Sequence, residues 1–137
     1  MIVKKNQINN AIKTLNKGNI LIYPTDTLYG LGADATNTSA IEKINKLKQK
    51  RSPLSIMIPS LKEIDKYATI DSDTIEELKK IFPGPFTALL QSKKINLSNL
   101  VQNQSDKIGT RIPNNTFCLI MCKHRRHGFF AFSKAVA

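Results

Sequence analysis

The chain has 137 residues, of which 41% are hydrophobic and 23% charged; 21 basic side chains against 10 acidic ones give a formal charge of +11. A single domain of this size buries roughly 68% of its unfolded surface, enough for a proper core. No apolar run approaches the ~20 residues of a membrane span, and the first ten residues lack the apolar centre of a secretory signal, so membrane and secreted classes are set aside and a cytoplasmic location is expected.

In chain order, residues 7–17 place Ile8, Ala11, Ile12 and Leu15 on one helical face, and Gly18 suits the stop. Residues 20–23 form a short apolar run closed by Pro24 and read as a buried strand. Residues 24–38 lack periodicity, are rich in turn formers and read as a long loop, a length that usually signals function. Ser39-x-x-Glu42 is a capping box opening a helix with Ile41, Ile44 and Leu47 inward. Residues 54–58 make a second strand stopped by Pro59. Ser60-x-x-Glu63 and Asp73-x-x-Glu76 repeat the cap pattern and predict two short helices. Phe82-Pro83-Gly84-Pro85 cannot stay helical, residues 86–90 resume as a strand, and residues 92–106 are a polar break. Residues 107–112 form another strand, and Asn115 caps a helix over 116–123. Alternating helices and short strands without repeat or linker predict one α/β (α+β) domain over residues 1–137.

The charge suits an anionic partner such as a nucleotide or RNA; the joint richness in Lys, Asn and Ile is equally what AT-rich coding produces. Cys118 and Cys122, spaced i, i+4, read as reduced, partly buried thiols. Gly30-Leu31-Gly32-Ala33-Asp34-Ala35 matches the dinucleotide fingerprint in letters only. The glycines stand six residues beyond the strand, and no acid lies near the position about 20 residues on. A P-loop is excluded because no G-K-[ST] occurs.

Three stretches carry chemistry. Thr25, Thr27 and Tyr29 alternate along an extended segment and can present hydroxyls to one side, which suits a small polar or zwitterionic substrate; they can equally bond their own turn backbone. Lys48, Lys50 and Arg51 end a helix, where cations complement the dipole or, alternatively, converge on phosphate oxygens. Arg111 is a lone charge in an apolar strand beside Gly109. It fits either a pocket anion or an exposed edge. No Ser-His-Asp or Cys-His arrangement offers a nucleophile, and no metal-ligand spacing stands out.

The ordered set P-T-D-T-L-Y-G-L-G-A-D-A, K-Q-K-R-S-P-L-S-I-M-I, P-G-P-F-T and I-G-T-R-I-P-N resembles the YrdC/Sua5 (TsaC) family, the threonylcarbamoyl-AMP synthases, over residues 7–123. The resemblance implies a YrdC-like twisted mixed sheet with flanking helices and a basic concave surface. It implies an enzyme that joins L-threonine, bicarbonate and ATP, with Mg²⁺ accompanying ATP, into threonylcarbamoyl-adenylate and pyrophosphate. The product serves the N6-threonylcarbamoyl modification of tRNA adenosine. By the same resemblance Thr25, Thr27 and Tyr29 line the threonine pocket. Lys48 or Lys50 with Arg51 holds ATP phosphates, and Thr87 and Arg111 complete the nucleotide side. The implied partners are tRNA or double-stranded RNA and the other proteins of that modification pathway.

The chain departs from the family pattern at Met57, where relatives often carry histidine. It departs again over residues 124–137, where Lys134-Ala135-Val136-Ala137 stands at the place of a T-S-A-N segment. The C-terminal part of the domain is therefore expected to be incomplete, with little turnover by this chain alone. The alternatives are a non-catalytic basic RNA- or nucleotide-binding module and an inactive remnant of the enzyme.

Overall fold

The computed structural model describes residues 8–24, 29–49, 53–95, 97–124 and 130–134. In chain order the elements are α1 (Ile8–Asn16), β1 (Leu21–Pro24), β2 (Tyr29–Ala33), α2 (Thr38–Lys48), β3 (Ser55–Met57), a 3₁₀ helix (Leu61–Lys66), β4 (Ala68–Thr69), α3 (Ser72–Lys79), β5 (Ala88–Ser92), β6 (Lys107–Arg111), α4 (Thr116–His124) and β7 (Phe130–Lys134). The strands form one mixed sheet in the order β1-β2-β7-β3-β6-β5-β4. Only β3 and β6 pair in parallel; the other described pairs are antiparallel.

Register divides the side chains between two faces. Leu21 stands opposite Gly32, and Ser55, Gly109 and Leu89 stand opposite one another; the backbone of β7 joins the two sets in register, so they form one row. Two residues along, Met57 faces Arg111 on the same side. On that side, Leu21, Tyr23 and Met57 pack with Ala11 and Leu15 of α1 and with Phe117, Cys118, Met121 and Cys122 of α4. The opposite face, with Ile56, Ile108 and Leu90, packs with Ala40, Ile41 and Ile44 of α2 and Leu78 of α3. The helices thus cover the β1 half of the first face. Its β5 margin stays open: Leu89 is 71% exposed and Phe86 57%.

Several expectations need correction. Residues 24–38 are not one loop, because Tyr29–Ala33 is a strand between β1 and β7. Its glycines look like turn residues, yet Gly30 is there for close approach: a Cβ on it would sit 3.1 Å from the Tyr23 hydroxyl. Asn37, not Ser39, caps α2, its side chain accepting from the Ala40 N–H at 3.1 Å. Leu47 points outward and is 63% exposed, because the buried stripe of α2 runs through Ala40, Ile41, Ile44 and Asn45. Asp71 rather than Asp73 caps α3, accepting from the Thr74 N–H at 2.8 Å. Ser60 opens a 3₁₀ turn without a side-chain cap bond. Phe86 lies outside β5, which starts at Ala88. Asn115 caps α4 as expected, accepting from the Cys118 N–H at 3.1 Å.

Thr110 is fully buried between its β3 and β5 neighbours, and its hydroxyl has no hydrogen-bond partner among the described residues. A buried unpaired hydroxyl costs free energy that an isosteric methyl avoids. Thr110→Val should therefore raise unfolding free energy by about 1 kcal/mol, read as a higher urea midpoint at unchanged slope. A lower midpoint would mean that the hydroxyl is bonded after all.

Candidate functional site

The open margin of the first face is built where β3, β6 and the approach to β5 meet. Gly109 of β6 carries no side chain, and the space is used: a Cβ there would lie 2.5 Å from Ser55 Oγ and 3.3 Å from Thr87 Cγ2. A half-buried serine and an exposed threonine therefore converge on a backbone glycine. Arg111, two residues along the same strand face, forms the back of this strip and is only 3% exposed.

Arg111 is held from several sides. Its Nε donates to the carbonyl of Gly84 at 3.1 Å, and the Gly84 N–H donates to the carbonyl of Ile112 at 3.0 Å. The Pro-Gly-Pro turn is thereby fastened to the end of β6, and it delivers Phe86 and Thr87 to the strip. Burial holds the Arg111 guanidinium below its ordinary range, while Cys118 and Tyr23 act in the opposite sense. Tyr23 packs its ring against Phe117, with centroids 6.4 Å apart. Burial raises its hydroxyl well above the usual phenol value, helped by Cys118 and Cys122 and opposed by Arg111. A delocalised guanidinium tolerates such a site better than an ammonium would.

Cys118 and Cys122 are free and buried. Burial pushes the Cys118 thiol up to about 12, with Arg111 opposing, and raises Cys122 well above its ordinary value. The thiolate is the reactive form, so neither cysteine should react with a thiol reagent at neutral pH until the chain unfolds. The sign for stability follows. A raised thiol pKa gives stability that is complete below pH ~9, the ordinary thiol value, and is lost as pH rises toward about 12. Unfolding free energy should fall over that range, and less steeply in the Cys118→Ala, Cys122→Ala double variant.

Of the residues expected to form a site, Thr87 and Arg111 come together on this strip. Lys48 is half-buried in the last turn of α2, on the layer that packs the opposite face. Tyr29 begins β2, opposite Pro24. Thr25, Thr27, Lys50 and Arg51 lie outside the described residues. Ser55 and Gly109 belong to the strip although they were not singled out as site residues. A glycine inside a strand pattern beside a buried arginine was the available signal. Met57 is fully buried opposite Arg111.

The family model for the Sua5/YciO/YrdC domain, described as telomere recombination, matches residues 13–135. The chain belongs to this family. Within it, the threonylcarbamoyl-AMP synthase of Psychromonas ingrahamii is 32% identical over 127 residues, covering 89% of this chain and 66% of its own length. A putative threonylcarbamoyl-AMP synthase of Methanocaldococcus jannaschii is 38% identical over 104 residues, or 74% of this chain and 49% of the relative. Among solved Sua5/YciO/YrdC structures, E. coli YciO superposes with a TM-score of 0.81 at 25% identity, covering 95% of this chain and 64% of that one. The structure of P. abyssi Sua5 complexed with L-threonine gives 0.83 at 24% identity, covering 97% and 41%. The chain thus spans 66% and 49% of the length of these two curated relatives. The mixed α/β sheet with flanking helices is the family fold.

Proposed function

We propose that this chain binds ATP and L-threonine as a threonylcarbamoyl-AMP synthase does, with the strip between β3, β6 and β5 as part of the nucleotide side. The observation that carries the reading is a buried arginine, Arg111, at the back of an open strip whose floor is glycine and whose rim is Ser55 and Thr87. Support comes from relatives named threonylcarbamoyl-AMP synthase and from a structural neighbour complexed with L-threonine. In this reading Arg111 and Thr87 contact ATP, Lys48 or Lys50 with Arg51 meets its phosphates, and Thr25, Thr27 and Tyr29 hold threonine.

The chemistry needs no protein nucleophile. The threonine amine adds to bicarbonate with loss of water, giving a carbamate. A carbamate oxygen attacks the α-phosphorus of ATP, and pyrophosphate leaves. The protein aligns the reactants and offsets phosphate charge. Mg²⁺ would accompany ATP, neutralising charge on its phosphates. The product would pass, in the cytoplasm, to partner proteins that modify tRNA, and the +11 charge favours such a polyanion. Among the described residues no helix is long and apolar enough to cross a membrane.

The test is pyrophosphate release from ATP and Mg²⁺ with threonine and bicarbonate added singly and together. The release, expected to be small from this chain alone, should require both. Release indifferent to threonine would indicate simple hydrolysis and contradict the reading. No release from a chain that binds both ligands would favour the non-catalytic nucleotide-binding module.

A further inference from the structure

A second concavity lies away from Arg111, within the connection between β5 and β6. That connection is tied firmly to the body. The Ser98 N–H donates to Ala35 O at 2.8 Å, Ser98 Oγ meets Thr38 Oγ1 at 2.8 Å, and Val101 O accepts from the Leu54 N–H at 2.7 Å. Inside it, Gln102 is buried and used at both ends: Oε1 accepts from Ser92 Oγ at 2.6 Å, and Nε2 donates to Ser105 O at 2.9 Å. The connection itself curls around a cavity of about 440 Å³, lined by Leu97, Ser98, Asn99, Leu100, Asn103 and Gln104, with Lys94 at one side. Leu97 and Leu100 pack against the core cluster of Ile56 and Ile108, on the sheet face opposite Arg111.

Three features define what such a cavity would take. Its volume lies in the range of about 300–1,000 Å³ typical of small-molecule sites. Its charge is balanced, because Lys94 Nζ sits 2.8 Å from Asp106 Oδ1. Its polar wall is carboxamide: Asn99 and Gln104 are exposed and each offers a donor and an acceptor in one plane. Lys94, Asn103 and Gln104 also adopt left-handed backbone at φ 56°, 50° and 65°, a conformation that costs free energy for a lysine or a glutamine.

We propose that this cavity binds a neutral sugar ring, whether a free monosaccharide or the ribose of a nucleoside. Adjacent hydroxyls of such a ring each donate and accept, which matches the paired groups of a carboxamide, and the C–H face of the ring lies against Leu97 and Leu100. A phosphate finds no unpaired cation among the described lining residues, since Lys94 is bonded to Asp106. The inference does not depend on the adenylate chemistry.

The experiment titrates the full ¹⁵N-labelled chain with ribose, glucose and adenosine, following backbone amides. Saturable shifts centred on residues 98–105 are expected for at least one of them, and the three arms distinguish free sugar from nucleoside. The Asn99→Ala, Gln104→Ala double variant should bind at least about fivefold more weakly. Its remaining spectrum should be unchanged, since both side chains are exposed. AMP should bind at these residues no tighter than adenosine. No saturable shift at residues 98–105, equal affinity in the double variant, or binding there only by phosphorylated compounds would overturn the proposal.

Discussion

Arg111→Ala should weaken ATP binding by at least about tenfold, because a charge-assisted contact to phosphate is worth roughly 1.5–3 kcal/mol. The substitution also removes the Nε bond to Gly84 O and leaves a space beside Cys118 and Tyr23. Some stability is therefore lost with the ligand, and a melting curve must accompany the titration. Arg111→Lys separates the two effects. The lysine keeps the charge but cannot donate along a planar fork, so affinity should fall between wild type and alanine. Lys79→Ala serves as the control for bulk charge: Lys79 is exposed on α3, paired only with Glu76 at 2.8 Å. It should leave ATP affinity unchanged. Equal losses from Arg111→Ala and Lys79→Ala would mean that the protein attracts nucleotide by net charge alone and that the strip is not a site.

Gly109→Ala should be the most damaging small substitution on the strip. The added methyl would lie 2.5 Å from Ser55 Oγ, below any normal contact, and 3.3 Å from both Ser55 Cβ and Thr87 Cγ2. Ser55 can turn its hydroxyl away, so overpacking should cost about 1–3 kcal/mol rather than unfold the chain. The methyl and the displaced hydroxyl then occupy the strip in front of Arg111, and ATP affinity should fall about tenfold or more. Adding Ser55→Ala to Gly109→Ala removes the shortest contact. Stability should then recover most of the loss while ATP binding stays impaired, because the floor of the strip remains raised. Full recovery of binding in the double variant would show that the glycine serves packing only. The pair is adjacent, so its effects are not expected to add.

The helices and the strands β1, β3, β5 and β6 were legible because their signals are local, although the caps of α2 and α3 were misplaced. Caps, periodic apolar stripes and Pro-Gly-Pro breaks act over a few residues. β2 was not legible. Gly30-Leu31-Gly32 has the composition of a turn, and its strand conformation comes from pairing with β1 on one side and β7 on the other. β7 itself lies in the segment that reads as a departure from the family pattern, yet its backbone occupies the middle of the sheet between β2 and β3. Long-range pairing of that kind has no sequence period to announce it. Leu47 shows the reverse error: an apolar residue near helical spacing was assigned inward, but the helix turns it to solvent.

The candidate site was half legible for the same reason. Arg111 was visible as a charge in an apolar strand, and Thr87 only through the family resemblance of P-G-P-F-T. Ser55 and Gly109 become neighbours only through the parallel pairing of β3 with β6, across more than fifty positions of sequence. The purpose of Gly109 depends on what its missing side chain would have touched, which no single sequence displays.

Isothermal calorimetry of the full chain with ATP, GTP, L-threonine and L-serine tests the central claim most directly. ATP should give saturable heat at micromolar to millimolar levels and outcompete GTP, and L-threonine should bind in preference to L-serine. No heat from ATP at millimolar concentration, in a sample whose melting curve shows it folded, would contradict the assignment of this chain as an ATP- and threonine-binding member of its family.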